Sequence, residues 1–407
     1  MSTLQDLSPS VRIRPGAGPA TLLPSLPPLS VYVHVPWCVR KCPYCDFNSH
    51  AAPAQLPEED YLSALQADLE QNLPLIWGRQ VISVFIGGGT PSLLSASALD
   101  RMLALLRAYL NLLPDAEITL EANPGTAEAQ RFLDYARSGI NRISLGVQSF
   151  DDQALKALGR VHDGQQARQA IDMAMKAVDR VNLDLMYALP GQSPTQSEQD
   201  ILQAMSFGTE HLSLYHLTLE PNTVFAKYPP VLPDDDDSAA MQDRLIELTA
   251  AQGWHQYEIS AYAKRGGHSR HNLNYWEFGD YLGIGPGAHG KLSFHDRIIR
   301  TATVRNPVSW MEAAPRRDGS HYARHERVSA ADLPFEFMLN ALRLKDGVPA
   351  NYFQERTGVP LARILPVLRR SIDKGLLAAD PVRIRASDLG WRFLNDLQEA
   401  FLPDELA

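Results

Sequence analysis

Three cysteines, the only ones in the chain, lie within eight residues as Cys38, Cys42 and Cys45. A disulfide framework uses paired cysteines that are usually spread along a chain, whereas clustered thiolates suit soft metals and iron–sulfur clusters. A structural zinc site would need a fourth ligand, and His34 and His50 are the nearest histidines. A four-iron cubane usually takes four cysteines, so a triplet would leave one iron open. The spacing therefore predicts a metal centre, with an iron–sulfur cluster favoured over zinc.

Short β-branched runs alternate with segments of helical periodicity as far as residue 250. The candidate strands cover residues 31–35, 81–86, 118–121, 142–147, 181–187 and 212–217. Six βα units in succession predict a parallel sheet with right-handed crossovers, curled as a barrel or part of one. The predicted fold class is therefore α/β, a partial (β/α)6 TIM-like barrel, whose active site would lie at the C-terminal ends of the strands.

Residues that could bind a ligand follow several of these strands. The cysteines come after the first strand, and the glycine run of residues 87–91 comes after the second. Glu121 ends the third strand, Gln148 follows the fourth, and Asp184 lies near the end of the fifth. The glycine run would expose backbone N–H and C=O groups to a ligand, although it could also be a plain tight turn. Convergence at one rim of a barrel predicts a binding site there.

The CxxxCxxC spacing after the first strand of a βα array resembles the radical S-adenosylmethionine (SAM) superfamily. This resemblance implies a [4Fe–4S] cluster held by Cys38, Cys42 and Cys45, whose open iron chelates SAM. It also assigns contacts with the cluster or SAM to a set of residues, each of which could otherwise be an ordinary surface or packing residue. That set is Tyr32, Tyr44, Gly88, Gly89, Thr90, Glu121, Gln148, Arg160 and Asp184.

Longer stretches of the chain resemble the family of oxygen-independent coproporphyrinogen III oxidase, and residues 257–285 resemble its heme chaperone HemW branch. The oxidases carry a further cysteine two positions after the triplet, where this chain has Phe47. Residues 271–276 match the HNxxYW motif of the chaperones, which implies heme ligation by His271. His268 and His289 are alternative ligands, and His271 could instead be a hydrogen-bonded surface histidine.

Composition and patterning set the expected organisation of the 407 residues. A net charge of −9 and the absence of a long apolar run argue against a nucleic-acid partner and a membrane span. We expect a mobile Pro-rich leader (1–30), a radical SAM core (31–250), an extension with the HNxxYW motif (251–325) and a small, mostly helical, winged-helix-like domain (326–407). A strand over 382–385 and an amphipathic helix carrying Leu389, Phe393, Leu397 and Phe401 would close the chain.

The resemblance implies a heme chaperone that binds heme and delivers it to heme-requiring apoproteins, with membrane respiratory enzymes as candidate recipients. The cofactors would be the [4Fe–4S] cluster and SAM, with an electron donor as a further partner. The expected location is the cytoplasm, where thiols stay reduced. The rival function is oxidative decarboxylation of coproporphyrinogen III.

Overall fold

The computed structural model describes residues 23–125 and 130–403. Within these ranges the strands are β1 (Leu29–Val35), β2 (Trp37–Cys38), β3 (His50–Ala51), β4 (Gln80–Gly88), β5 (Asn111–Ala122), β6 (Arg142–Gln148), β7 (Arg180–Tyr187), β8 (His211–His216), β9 (His255–Gln256), β10 (Ala261–Ala263), β11 (Asp280–Ile284), β12 (His289–Ser293), β13 (Ile298–Thr303), β14 (Tyr322–Arg327), β15 (Val348–Pro349) and β16 (Arg383–Ile384).

The helices of the same ranges alternate with the strands in the first part of the chain and cluster in the last. They are α1 (Glu58–Ile76), α2 (Ala96–Tyr109), α3 (Phe132–Ser138), α4 (Asp152–Ala157), α5 (Gly164–Ala177), α6 (Pro194–Ser206), α7 (Val224–Lys227), α8 (Asp235–Ala251), α9 (Arg270–Trp276), α10 (Pro307–Ala313), α11 (Leu333–Ala341), α12 (Asn351–Thr357), α13 (Leu365–Asp373), α14 (Asp388–Arg392) and α15 (Leu394–Glu399). None of them combines the length and the apolar character needed to span a bilayer.

Six parallel strands form the core of the sheet, in the order β1-β4-β5-β6-β7-β8. This confirms the predicted partial (β/α)6 barrel. Strand β1 is buried at six of its seven positions, as expected for a strand covered on both faces. Side-chain caps fix where the crossover helices begin; Asp163 and Gln166, for example, form a capping box at the start of α5.

The extension over 251–325 lengthens this sheet at both edges, which the sequence analysis did not predict. Strands β10 and β9 add antiparallel beside β8. On the other edge β11 pairs parallel with β1, and β12, β13 and β14 follow antiparallel. Asp280 forms two buried ion pairs at this edge: it lies 2.9 Å from Lys291 Nζ and 2.7 Å from Arg79 Nη1.

The C-terminal region is mostly helical, as predicted, and β16 lies within the strand expected over 382–385, where it pairs antiparallel with β15. The single closing helix is a wrong prediction, because the chain breaks at Phe393 (φ −111°, ψ 46°) into α14 and α15. The apolar core of the C-terminal region is shared with the extension, since Tyr257 and Phe278 pack in the same cluster as Phe337. Residues 1–22 of the predicted leader lie outside the described ranges, and β1 already begins at Leu29.

Candidate functional site

A cavity of about 520 Å³ opens at the C-terminal ends of the barrel strands and reaches down to the start of β6. It collects most of the site residues predicted from the sequence. Those that line it are Cys38, Cys42, Tyr44, Cys45, Gly88, Gly89, Thr90, Glu121, Gln148, Arg160 and Asp184. Tyr32 and His271 are not among its lining residues. Residues from five strands and the cysteine loop therefore meet in one place, as the strand ends predicted.

The three thiols lie on a loop that begins at β2 and is held by local hydrogen bonds. The Cys45 N–H donates to Cys42 O (3.2 Å), and Lys41 donates to the carbonyl oxygens of Phe47 and Ser49. Burial raises the pKa of the Cys38 and Cys45 thiols. Among the described residues, no three His, Cys, Asp or Glu side chains are grouped to hold one metal ion. Thiolates bound to different irons of a cluster do not need to converge in that way.

The glycine run forms a tight junction between the ends of β4 and β1. A Cβ on Gly88 (φ +111°) would lie 2.4 Å from the His34 ring, and one on Gly89 would lie 2.6 Å from Trp37 O. Its N–H groups are not free, which corrects the sequence expectation: Gly88 N donates to Glu121 Oε2 (2.9 Å), Gly89 N to Val35 O and Thr90 N to Trp37 O. These glycines are required because neighbouring protein atoms approach the backbone closely.

Two carboxylates face the cavity at different levels. Burial, with a smaller contribution from the charge of Asp184, raises the pKa of Glu121 to about 7. Burial also raises the pKa of Asp184, whose oxygens accept hydrogen bonds from Ser144 Oγ (3.0 Å) and Asn182 Nδ2 (2.8 Å). No described cation forms an ion pair with Glu121, so a ligand ammonium group would find an available partner there.

Arg160 is held beside the cysteine loop. Its Nη2 donates to Gly146 O (2.8 Å) and to Asn123 Oδ1, and its Nη1 lies 3.6 Å from Cys42 Sγ. Its buried Nε has no hydrogen-bond partner. Gln148 has a positive φ of 66° where the pairing of β6 with β7 is irregular, and such a bulge re-aims a side chain.

The two predicted tyrosines have different surroundings. Tyr44 lines the cavity and packs against Phe225, with ring centroids 6.3 Å apart. Tyr32 instead supports the cavity wall: its hydroxyl lies 2.9 Å from His34 Nδ1, and its ring stacks on Phe85 at 6.3 Å. Because Phe85 lines the cavity, Tyr32 acts on it through a neighbour.

His271 lies on α9 and is 5% exposed, so the surface-histidine alternative is wrong. Its Nδ1 is 3.1 Å from Ser83 Oγ, and its ring centroid is 5.0 Å from that of Phe85. Burial lowers its pKa to about 4, so the imidazole is neutral at pH 7. Among its rivals, His268 packs edge-on against Tyr257 at 4.6 Å, and His289 is exposed.

The aromatic residues of the HNxxYW motif are already packed. Tyr275 stacks on Tyr281 with centroids 3.8 Å apart, and Arg343 lies 4.3 Å from the Trp276 ring centroid. The backbone N–H of His271 donates to Glu117 at 3.1 Å. Of this motif, Asn272 lines the cavity. The motif is thus part of the barrel interior and its base.

The cavity also contains residues that the sequence analysis missed. They are polar side chains from the inward-facing positions of the strands and their neighbours: Asn123, Arg142, Ser144, Asn182, Ser213 and Asn272. Ser144 precedes Gln148 by four residues and Asn182 precedes Asp184 by two, so both share the strand face of a predicted ligand contact. Extending the predicted contacts Gln148 and Asp184 along β6 and β7 in steps of two would have found Arg142, Ser144 and Asn182, but not Ser213 on β8 or Asn272 on α9.

Comparison with known proteins gives two family models: residues 32–204 match the radical SAM superfamily and residues 328–393 match the HemN C-terminal domain. The heme chaperone HemW of Escherichia coli (strain K12) is 49% identical over 381 residues, which cover 93% of this chain and 99% of the relative. The heme chaperone HemW of Haemophilus influenzae is 43% identical, covering 94% and 100%.

The chain belongs to the HemW family. A solved structure with the same fold is coproporphyrinogen III oxidase (HemN) from Escherichia coli, with a TM-score of 0.78 and 22% identity over 92% of this chain and 90% of that one. As a radical SAM protein, a HemW-family chain is associated with a [4Fe–4S] cluster and SAM. The cavity fits both groups, because three thiols share it with an unpaired carboxylate and with an arginine whose Nε has no partner.

Proposed function

We propose that this chain is a heme chaperone, which binds heme and delivers it to heme-requiring apoproteins in the cytoplasm. The observation that carries the proposal is its similarity, over more than nine-tenths of both chains, to relatives named heme chaperones. The residues after the cysteine triplet support the same reading. Cys45 is followed by Asp46 and Phe47, and the chain has no fourth cysteine.

The cluster would be held by Cys38, Cys42 and Cys45, and it supplies a single electron when reduced by a donor protein. Arg160 lies beside Cys42, where its guanidinium can pair with the carboxylate of SAM. Glu121 would accept a hydrogen bond from the SAM ammonium group in its ionised form. Asp184 would accept hydrogen bonds from the ribose hydroxyls, held in place by Ser144 and Asn182.

Gln148 would contribute a polar contact to SAM from the strained position at the end of β6. The cavity wall beside SAM at the end of β4 would be formed by Gly88, Gly89 and Thr90. Asn123 donates a hydrogen bond to Thr90 Oγ1 at 2.8 Å. Tyr44 would border SAM beside the cluster, and Tyr32 would hold the wall through Phe85. Together these residues would orient SAM with its methionine end at the thiols.

His271 is the proposed axial ligand of heme. A neutral imidazole is the form that binds iron, and burial keeps this histidine neutral at pH 7. Ligation would require the ring to leave Ser83 or to bind through Nε2, and Phe85 to move away from its face. Heme binding at this position is therefore coupled to rearrangement of the cavity wall.

The test is a heme titration of the anaerobically reconstituted protein, followed by absorption spectroscopy and an assay for coproporphyrinogen III oxidation. We expect about one heme per chain, a Soret band that shifts in His271→Ala, and no protoporphyrinogen formation. His289→Ala is the matched control, because His289 is exposed and outside the cavity. Catalytic formation of protoporphyrinogen with SAM and a reductant would replace the chaperone with the oxidase. A Soret band that changes in His289→Ala but not in His271→Ala would assign the heme ligand to His289 and not to His271.

A further inference from the structure

Arg142 is a buried cation at the base of the cavity. It is the first residue of β6, it is 2% exposed, and it lines the cavity. In the described part of the chain its side chain forms no ion pair and no hydrogen bond, and its buried Nε has no partner. Buried arginines are normally paired, because removing a guanidinium from water without a partner is unfavourable.

The carboxylates nearest to Arg142 are engaged with other groups. Glu117 accepts hydrogen bonds from Arg180 Nη1 (2.6 Å), Ser269 Oγ (3.2 Å) and two backbone N–H groups at the start of α9. Asp184 accepts from Ser144 and Asn182. The charges of both carboxylates act on Arg142 across space, and neither forms a direct contact with it.

The surroundings of Arg142 resemble a binding pocket in which the guanidinium has no anionic partner. Ser144, Asn182, Ser213 and Asn272 line the cavity at the same level or above it and present hydroxyl and amide groups. A guanidinium with free N–H groups, beside hydroxyl and amide groups, can bind planar anions such as carboxylates. This arrangement therefore indicates a site for an anionic group of a ligand.

We propose that Arg142 binds a carboxylate group of a ligand at the base of the cavity, and that this group is a propionate of heme. The assignment to heme rests on the proposed chaperone function. The other carboxylate available is that of SAM, which Arg160 would hold at the cluster end. Arg142 precedes Gly146, the residue that anchors Arg160, by four strand positions, or about 13 Å at ~3.3 Å per residue.

The position of α9 supports this assignment. Asn272 lines the cavity together with Arg142, and His271 lies next to it on the same helix. The His271 ring lies 5.0 Å from that of Phe85, which lines the same cavity as Arg142, so the proposed iron ligand borders the cavity wall. A heme whose iron approached His271 would bring its propionates near the base of the same cavity. One cation and one imidazole would then recognise the two chemically distinct parts of the cargo.

The experiment compares heme with heme dimethyl ester, whose propionates are blocked, in the reconstituted wild type, Arg142→Gln and Arg142→Lys. We expect Arg142→Gln to weaken heme binding at least tenfold, Arg142→Lys to weaken it less, and the ester to bind all three proteins equally. SAM affinity is expected to change less than twofold. Equal binding of heme and its ester by the wild type would overturn the assignment to heme. Weakened SAM binding with unchanged heme binding would assign the carboxylate to SAM.

Sodium propionate tests the anion site without heme. We expect propionate to raise the melting temperature of the wild type and not of Arg142→Gln, because a ligand of the folded state stabilises it. If the wild type binds no heme but responds to propionate, the chaperone proposal fails and the carboxylate site stands. If propionate has the same effect on both proteins, the site is overturned. Without ligand, Arg142→Gln is expected to melt no lower than the wild type, whereas a purely structural arginine would give a lower melting temperature.

Discussion

The two ends of the cavity are built in opposite ways. At the cluster end, a short loop and a glycine junction use backbone hydrogen bonds, and residues 38–45 and 87–91 supply most of the groups. At the base, charged and polar side chains meet from distant parts of the chain. Arg180 pairs in register with Arg142 and belongs to a network outside the cavity lining, in which Ser269 connects the Glu117–Arg180 pair to Tyr257. In the same network His211 Nε2 lies 2.8 Å from the Tyr257 hydroxyl. Local sequence therefore specifies the first end, and tertiary packing specifies the second.

Under the proposed function, this difference would separate cofactor binding from recognition of the cargo. The cluster end offers thiols, an unpaired carboxylate and Arg160, which suit a metal cluster and an amino acid moiety. The base offers the unpaired guanidinium of Arg142, and the neutral imidazole of His271 lies against Phe85 of the cavity wall. If the two ends work independently, substitutions at one end should leave the binding properties of the other unchanged.

The largest effect is expected at the cluster end. Cys42→Ala removes one of the three proposed iron ligands, so anaerobic reconstitution should give far fewer than the about four irons expected per wild-type chain. Iron analysis and the absorbance of the cluster measure this loss, and heme binding at the base should persist. Ser49→Ala is the control, because Ser49 Oγ lies 3.8 Å from Cys45 Sγ without being a proposed ligand. Stoichiometric zinc in the native protein, unaffected by reconstitution, would refute the cluster.

The predictability of the site follows the same division. CxxxCxxC and the glycine run are contiguous motifs placed after strands, and they contain seven of the eleven predicted residues that line the cavity. It missed Arg142, Ser144, Asn182 and Ser213 because an isolated polar residue inside a strand carries no motif. The residue types of the HNxxYW motif did not reveal that Tyr275 and Trp276 were already packed, since Tyr281 and Arg343 come from other elements.

The fold shows a similar limit. The six core strands were predicted because long buried β-branched runs give a strong signal. The edge strands β9 and β10 contain two and three residues, and such short segments carry little periodicity. The break at Phe393 was missed because the apolar spacing continues through it, so the pattern indicates one helix where the backbone forms two.

A second prediction tests the glycine junction. Gly88→Ala should lower SAM affinity by about 10- to 100-fold. The new Cβ would clash with the His34 ring and displace the N–H that positions Glu121. The size of the effect follows because a hydrogen bond to a charged group contributes about 1.5–3 kcal/mol. Gly191→Ala is the matched control, since Gly191 also has a positive φ (68°) but no atom within 4 Å of the place that a Cβ would occupy. Both variants should lose stability from backbone strain, roughly 1–3 kcal/mol. Equal SAM affinities, measured by calorimetry, would show that the junction is a turn without a role in binding.

The smallest expected effect is a pH dependence caused by Glu121. Its pKa is raised to about 7 by burial, so the carboxyl is largely protonated at pH 6 and largely ionised at pH 8. If the ionised form pairs with the SAM ammonium group, SAM affinity should rise about tenfold from pH 6 to pH 8, and Glu121→Gln should remove this slope. Stability without SAM should move in the opposite direction. Since the folded-state pKa is raised, the contribution of Glu121 is fully present below the unfolded pKa of about 4.5 and is lost as the pH rises through 7.

Asp200 separates these two effects. Burial raises its pKa to about 6, but it binds Ser149 and the Phe150 N–H outside the residues that line the cavity. Asp200→Asn should therefore change the pH dependence of the melting temperature and leave that of SAM affinity intact. Glu121→Gln should change both. If SAM affinity is independent of pH in the wild type, the ammonium group is bound elsewhere, and the cluster end would then resemble the base in drawing its ligand contacts from side chains that no local motif reveals.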